Sequence, residues 1–179
     1  MSGADPLVVL LNGPLGIGKS TLGEVLGEAM GRSVTLDGDS LAALNPPPAD
    51  EVASLHATLA LLVGHHLAGG YHRFIINHYW SSAAEISDLE ERLHAVAPGM
   101  RVRCFRLTLS REANLERIAR RQSTRAIDEA DFEAEHFTEE YALLSAAEGD
   151  ALGTPFDVSD SPEVLAARLL DLLGIAPAA

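Results

Sequence analysis

Lysine is almost missing from this sequence. Its 179 residues include one lysine, Lys19, against twelve arginines. Cysteine is equally scarce. Cys104 stands alone, which excludes an internal disulfide and fits a reducing cytoplasm. It lies in the apolar-periodic run Val102–Leu109 and reads as a packed thiol rather than a nucleophile. Long apolar runs are lacking too. Leu7–Leu11 is too short for a membrane span or a signal-peptide core, and Met1–Pro6 has no basic start, so neither is expected. Positive charge is outnumbered, with 26 acids against 13 bases and a net charge of -13. Such a surface repels phosphate backbones, so neither nucleic acid nor an anionic membrane is expected as a partner.

What is present suits a folded chain. Hydrophobic residues make up 47%, enough to bury a core without staples. No repeat or low-complexity linker divides residues 1–179, so a single domain is expected, as monomer or homodimer. The run Asn45-Pro46-Pro47-Pro48 reads as a local loop. Apolar strand patterns at Leu7–Asn12, Ser33–Leu36, Arg73–Asn77, Arg101–Leu109 and Pro155–Val158 alternate with helical patterns at Lys19–Met30, Asp50–Ala68, Ser82–Ala97, Ser110–Arg121, Asp128–Ala147 and Pro162–Leu173. Ser81 or Ser82 is an N-cap with Glu85 placed for a capping box. This order predicts an α/β three-layer fold, a five-stranded parallel sheet with helices on both faces.

Between the first strand and first helix lies Gly13-Pro14-Leu15-Gly16-Ile17-Gly18-Lys19-Ser20, a match to G-x-x-x-x-G-K-[ST]. The chemistry requires these residue types. Gly13, Gly16 and Gly18 let the backbone approach phosphates, and the loop N–H groups with the helix N-terminus, Ile17 included, form an anion nest. Lys19 reaches the β- and γ-phosphates. Ser20 is the candidate Mg²⁺ ligand, and Thr21 a candidate contact to the α-phosphate. The expected cofactors are ATP and Mg²⁺. The sole lysine therefore sits where a compact ammonium is wanted.

With this P-loop NTPase motif near its start, the chain resembles the small P-loop kinases of the nucleoside-monophosphate-kinase-like group, which includes shikimate kinase, gluconate kinase and chloramphenicol phosphotransferase. The resemblance implies an ATP-dependent kinase acting on a hydroxyl of a small metabolite or antibiotic. It also extends to Leu36-Asp37-Gly38-Asp39-Ser40-Leu41, followed by Pro46. By that resemblance Asp39 is the candidate base and Asp37 the supporting or magnesium-linked carboxylate. A turn whose aspartates cap the next segment is the competing reading. The resemblance implies a short lid at about residues 120–128, with Arg117 and Arg121 on the transferring phosphates and Arg120 and Arg125 as weaker candidates. Helix C-terminal pairing with surface acids is the plainer account. One departure matters: the strand ending Phe74-Ile75-Ile76 closes in Asn77-His78, where such kinases usually carry an acid.

The acceptor pocket is expected beyond the strand ends, lined by Asn77, His78, Tyr79 and Trp80. Trp80 is the only tryptophan, and core packing under a loop is its alternative. His56, His65 and His66 read as surface or pocket-lining residues with no metal spacing. The acids Asp128, Glu129, Asp131, Glu133, Glu135, Glu139 and Glu140 read as a solvated helix face. Two further functions remain open. A nucleotide or nucleoside kinase would want an arginine pair after the third strand, and none stands there. A regulatory ATP-binding NTPase without acceptor is the other, but a guanine switch with N-K-x-D is excluded because the only lysine is Lys19.

Overall fold

The computed structural model describes residues 5–122 and 128–178, with the side chains of 121–135 outside that description. Twelve elements follow in chain order among the described residues: β1 (Leu7–Asn12), α1 (Lys19–Met30), β2 (Val34–Asp37), α2 (Gly38–Ala42), α3 (Glu51–Ala68), β3 (Arg73–His78), α4 (Ala83–Val96), β4 (Arg101–Thr108), α5 (Arg111–Gln122), α6 (Asp128–Ala146), β5 (Thr154–Asp157) and α7 (Pro162–Leu173). The strands form one sheet in the order β2-β3-β1-β4-β5, and every neighbouring pair is parallel. This is the α/β three-layer architecture expected from the alternation.

Strand β1 shows why the layers form. All six of its residues are buried, so it must be covered on both faces, as parallel strands are. Alternate side chains point opposite ways. Leu7, Val9 and Leu11 join one core with Leu22, Leu26 and Met30 of α1 and Leu165, Leu169 and Leu173 of α7. Val8 and Leu10 join the other core with Leu55, Leu59 and Val63 of α3 and Leu89 and Leu93 of α4. The apolar run is thus shared between two helix layers, and each layer exists because the strand has two faces to cover.

The ends of the elements are marked chemically. Ser82 caps α4 by accepting from the Glu85 N–H. Glu85 reaches back to Ser81, accepting from its N–H at 2.8 Å and its hydroxyl at 2.6 Å. The expected box is therefore split over both serines. Helix α2 was not anticipated as a helix. It is a five-residue turn capped by Asp37, whose carboxylate accepts from the Ser40 N–H.

Strand β1 lies at the sheet's centre between β3 and β4. The chain leaves β1 toward β2 and β3 on one side and reaches β4 and β5 on the other. The crevice beyond the carboxyl end of β1 is therefore the topological switch point, where such sheets bind ligands.

Candidate active site

The loop 13–18 leaves β1 into that crevice and enters α1. Gly18 is the N-cap of α1 at φ 107°, and it offers no side chain to cap the helix. The first N–H groups of a 12-residue helix consequently face the crevice, and no acidic side chain occupies its first turn. Gly16 sits at φ 77°, and a Cβ there would lie 2.3 Å from Cγ1 of Ile118. That position admits only glycine, because both the backbone angle and the packing against α5 forbid a side chain. The Lys19 ammonium lies over the loop, donating to the Gly13 carbonyl at 2.7 Å and the Pro14 carbonyl at 3.2 Å, with the residue 8% exposed.

Two carboxylates stand beside this nest. Asp37 accepts from the Ser20 hydroxyl at 3.0 Å with one oxygen and from the Ser40 N–H with the other. Asp37 thus caps α2 with one oxygen and meets the loop's Ser20 with the other. Asp39 accepts from, or shares a proton with, His78 Nδ1 at 2.8 Å. That hydrogen bond holds the Asp39 carboxyl below its ordinary range, against burial, with help from the charges of Lys19 and His78. A small cavity of about 90 Å³ is walled by Leu15, Gly16, Gly18, Lys19, Ser20, Thr21 and Asp39. Asp39, Lys19 and the phosphate nest therefore share one space.

The residues also fit a hard divalent cation. A hydroxyl and a carboxylate oxygen, Ser20 and Asp37, meet at the loop, which suits oxygen-seeking Mg²⁺. Among the described residues no three His, Cys, Asp or Glu side chains cluster to hold a metal by themselves. Such a site would need the nucleotide's own phosphates, which is how Mg²⁺ is commonly held at them.

A second cavity, about 420 Å³, opens on the other flank of the loop. Ile17, Thr21 and Leu22 line it with Arg117 and Arg120 of α5 and Val158, Asp160, Pro162 and Leu165 beyond β5. Arg117 stands on this flank, against the loop. Its guanidinium donates to the Ile17 carbonyl at 2.8 Å and the Val158 carbonyl at 2.6 Å. It forms a wall of this flank and braces the loop to the β5 end. Arg120 is exposed, with its guanidinium 3.8 Å from Glu116. The Arg121 side chain, Arg125 and residues 123–127 of the lid expected at about 120–128 lie outside the described residues.

The strand-end residues divide. His78 and Tyr79 are part-exposed, and His78 meets Asp39. Burial pushes the Tyr79 phenol upward, aided by the negative charges of Glu140, Glu85 and Glu139, so it remains a proton donor at neutral pH. Asn77 and Trp80 are buried, unlike their two neighbours. Asn77 is 2% exposed and packs beneath α1, where Gly23 leaves room for its amide. Trp80 is 1% exposed and belongs to the α3–α4 core. Its backbone is paired with Asn12, whose amide donates to the Trp80 carbonyl and accepts from the Trp80 N–H. The loop after β3 is thereby tied to the start of the phosphate loop.

Sequence reasoning missed two residues. His56 is fully buried, not on the surface or a pocket wall. Its Nε2 accepts from Trp80 Nε1 at 3.2 Å, and its Nδ1 meets Asp88 at 2.7 Å. Its spacing with Leu59 and Val63 put it on the apolar face of α3, and that was the available signal. Glu140 does not belong to a solvated face: its carboxylate accepts from the Leu15 N–H at 2.7 Å.

Comparison with known proteins agrees with this geometry. The profile of the AAA domain matches residues 8–143. The chain belongs to the AAA domain family. No curated protein matches the sequence. Among solved structures, the chain is similar to a tunicamycin resistance protein of Deinococcus radiodurans, at 17% identity and a TM-score of 0.70, covering 98% of this chain and 99% of that one. It is similar to a gluconokinase of Sinorhizobium meliloti, at 18% identity and a TM-score of 0.64, covering 94% and 96%. It is also similar to the APS kinase of Mycobacterium tuberculosis, at 22% identity and a TM-score of 0.60, covering 95% and 98%. At these identities the likeness establishes a shared P-loop kinase fold over nearly the whole length of each. Among the described residues no helix is long and apolar enough to cross a membrane.

Proposed function

We propose that this AAA domain protein is an ATP-dependent kinase that transfers the γ-phosphoryl to a hydroxyl of a small metabolite or antibiotic. The observation that carries the reading is the shared cavity in which Asp39 faces Lys19 and the phosphate nest. A nucleotide-binding protein with no acceptor has no need of a second carboxylate held there by a histidine. The small-molecule kinases among its structural neighbours support the same acceptor class.

Each residue then has a task. Backbone N–H groups of the loop and the α1 N-terminus hold the β-phosphate, and Lys19 leaves the Gly13 and Pro14 carbonyls for the β- and γ-oxygens. Ser20 would hold Mg²⁺ directly, with Asp37 on its water shell; when bound, the ion neutralises charge on the phosphates. Ile17, Thr21, Leu22 and Pro162 form the apolar slot for the nucleoside, with Arg117 on its wall. His78 and Tyr79 face the acceptor. Asp39 accepts the acceptor's hydroxyl hydrogen bond. Because its carboxyl is held below the ordinary range, the carboxylate is a weak base, and its main contribution is orientation. A loose transition state needs alignment more than early proton removal.

Nucleotide binding is tested by melting the protein with and without Mg·ATP. Ligand at about 100 times its Kd stabilises by about 2.7 kcal/mol. That gain is expected for the native chain and absent for Lys19→Ala. An equal gain in both would remove Lys19 from the site.

A further inference from the structure

Leu15, at the tip of the phosphate loop, is gripped at both ends of its backbone. Its N–H donates to Glu140 Oε2 at 2.7 Å, and its carbonyl accepts from Asn114 Nδ2 at 3.1 Å. The two side chains come from different helices. Asn114 is fully buried on α5 and Glu140 stands on α6, the helices on either side of residues 123–127. Helix α6 is itself anchored next to Glu140. Phe137 is fully buried, and the Tyr141 hydroxyl donates to the Leu109 carbonyl at 3.2 Å. The bond is at ordinary hydrogen-bond distance, so any side-chain oxygen with the same reach can hold this peptide. The bond carries a cost. Burial pushes the Glu140 carboxyl above its ordinary range, and Asp39 adds to that, while the Leu15 N–H and Lys19 draw it back.

We propose that Glu140 is a positioning residue of the phosphate loop, holding the Leu15 peptide so that the loop is set for phosphate before the nucleotide arrives and only while α6 is docked. The inference rests on the nucleotide-binding reading above. Its physical content is preorganisation: a loop already ordered loses less entropy when it closes on phosphate. The bond acts through its acceptor oxygen and its reach, and not through charge.

Three full-chain variants separate these terms, with Kd for Mg·ATP measured by calorimetry below each variant's melting temperature. Glu140→Gln keeps an acceptor oxygen at the same reach and is expected to bind within about threefold of the native chain. Glu140→Ala and Glu140→Asp, the second keeping the charge but shortening the side chain, are each expected to weaken binding about tenfold. The KM for the acceptor should move less than the Kd for ATP. Native-like binding by Glu140→Ala, or a Gln variant as weak as the Ala variant, would overturn the proposal. A native chain that binds no ATP would instead defeat the nucleotide reading on which it stands.

Discussion

The triad of part-exposed Asp88 with buried His56 and Trp80 makes a sharp stability prediction. An indole N–H can only donate. His56 Nε2, 3.2 Å away, must therefore accept, and the ring proton sits on Nδ1, where Asp88 takes it at 2.7 Å. Replacing His56 by Ala leaves the Trp80 N–H buried without a partner, which costs about 1–3 kcal/mol. The lost ring also leaves a cavity beneath a fully buried site, adding roughly 1–2 kcal/mol. Asp88 keeps Arg92 as a partner, so it adds little. The expected loss is about 3 kcal/mol, or about 6–12 °C in Tm for a chain of this length. His56→Phe refills most of the volume but supplies no acceptor, so it should cost less than Ala while remaining measurably destabilised. Urea unfolding followed by fluorescence reports directly, since Trp80 is the only tryptophan. A loss below about 1 kcal/mol for Ala, or a Phe variant as stable as the native chain, would refute the assignment of the hydrogen bond.

Other outcomes follow from the site. Asp39→Asn should cut kcat by about 10²-fold while leaving ATP affinity nearly intact, because the acceptor hydroxyl loses its orientation; an unchanged kcat would remove Asp39 from the reaction. Because the Asp39 carboxyl is held low by His78, its ionised form persists as pH falls. The acid limb of kcat/KM should therefore lie below the ordinary carboxylate range and move upward in His78→Ala, where that bond is gone. Arg117→Ala should weaken ATP binding more than it slows phosphoryl transfer, since its guanidinium braces Ile17 and Val158; the opposite split in KM and kcat would restore it to the transferring phosphate. Burial pushes the Cys104 thiol up to about 12. It should resist a thiol-specific disulfide reagent at pH 8 in the folded chain and react once urea is added, and fast native labelling would contradict its packing.

The fold was legible because its signals are local. Six buried residues in a row before a glycine-rich loop can hardly be other than a central strand entering a phosphate site, and the caps at Ser82 and Gly174 mark helix ends through short-range bonds. Asp39 could be placed for the same reason: it follows β2 by two residues, and a parallel strand delivers its carboxyl end to the crevice. What was not legible depends on side-chain direction over long separations. Arg117 meets Val158 across 41 residues, and nothing in its helix spacing says which side of the loop it faces. Glu140 reaches Leu15 across 125 residues, and nothing in its run of acids singled it out. Trp80 and Asn77 drew attention as polar or aromatic residues at a strand end, but the second helix layer covers one and α1 covers the other.

The central claim is acceptor-dependent phosphoryl transfer. The most direct measurement is ADP release from Mg·ATP by the purified chain, challenged with a panel of hydroxylated metabolites, antibiotics and nucleoside monophosphates, with product mass read in the same reactions. A hydroxylated compound that stimulates ADP release and gains one phosphoryl group, with both effects lost in Asp39→Asn, is the predicted result. Stimulation confined to nucleoside monophosphates, or ATP binding without stimulation by any member of the panel, would contradict it.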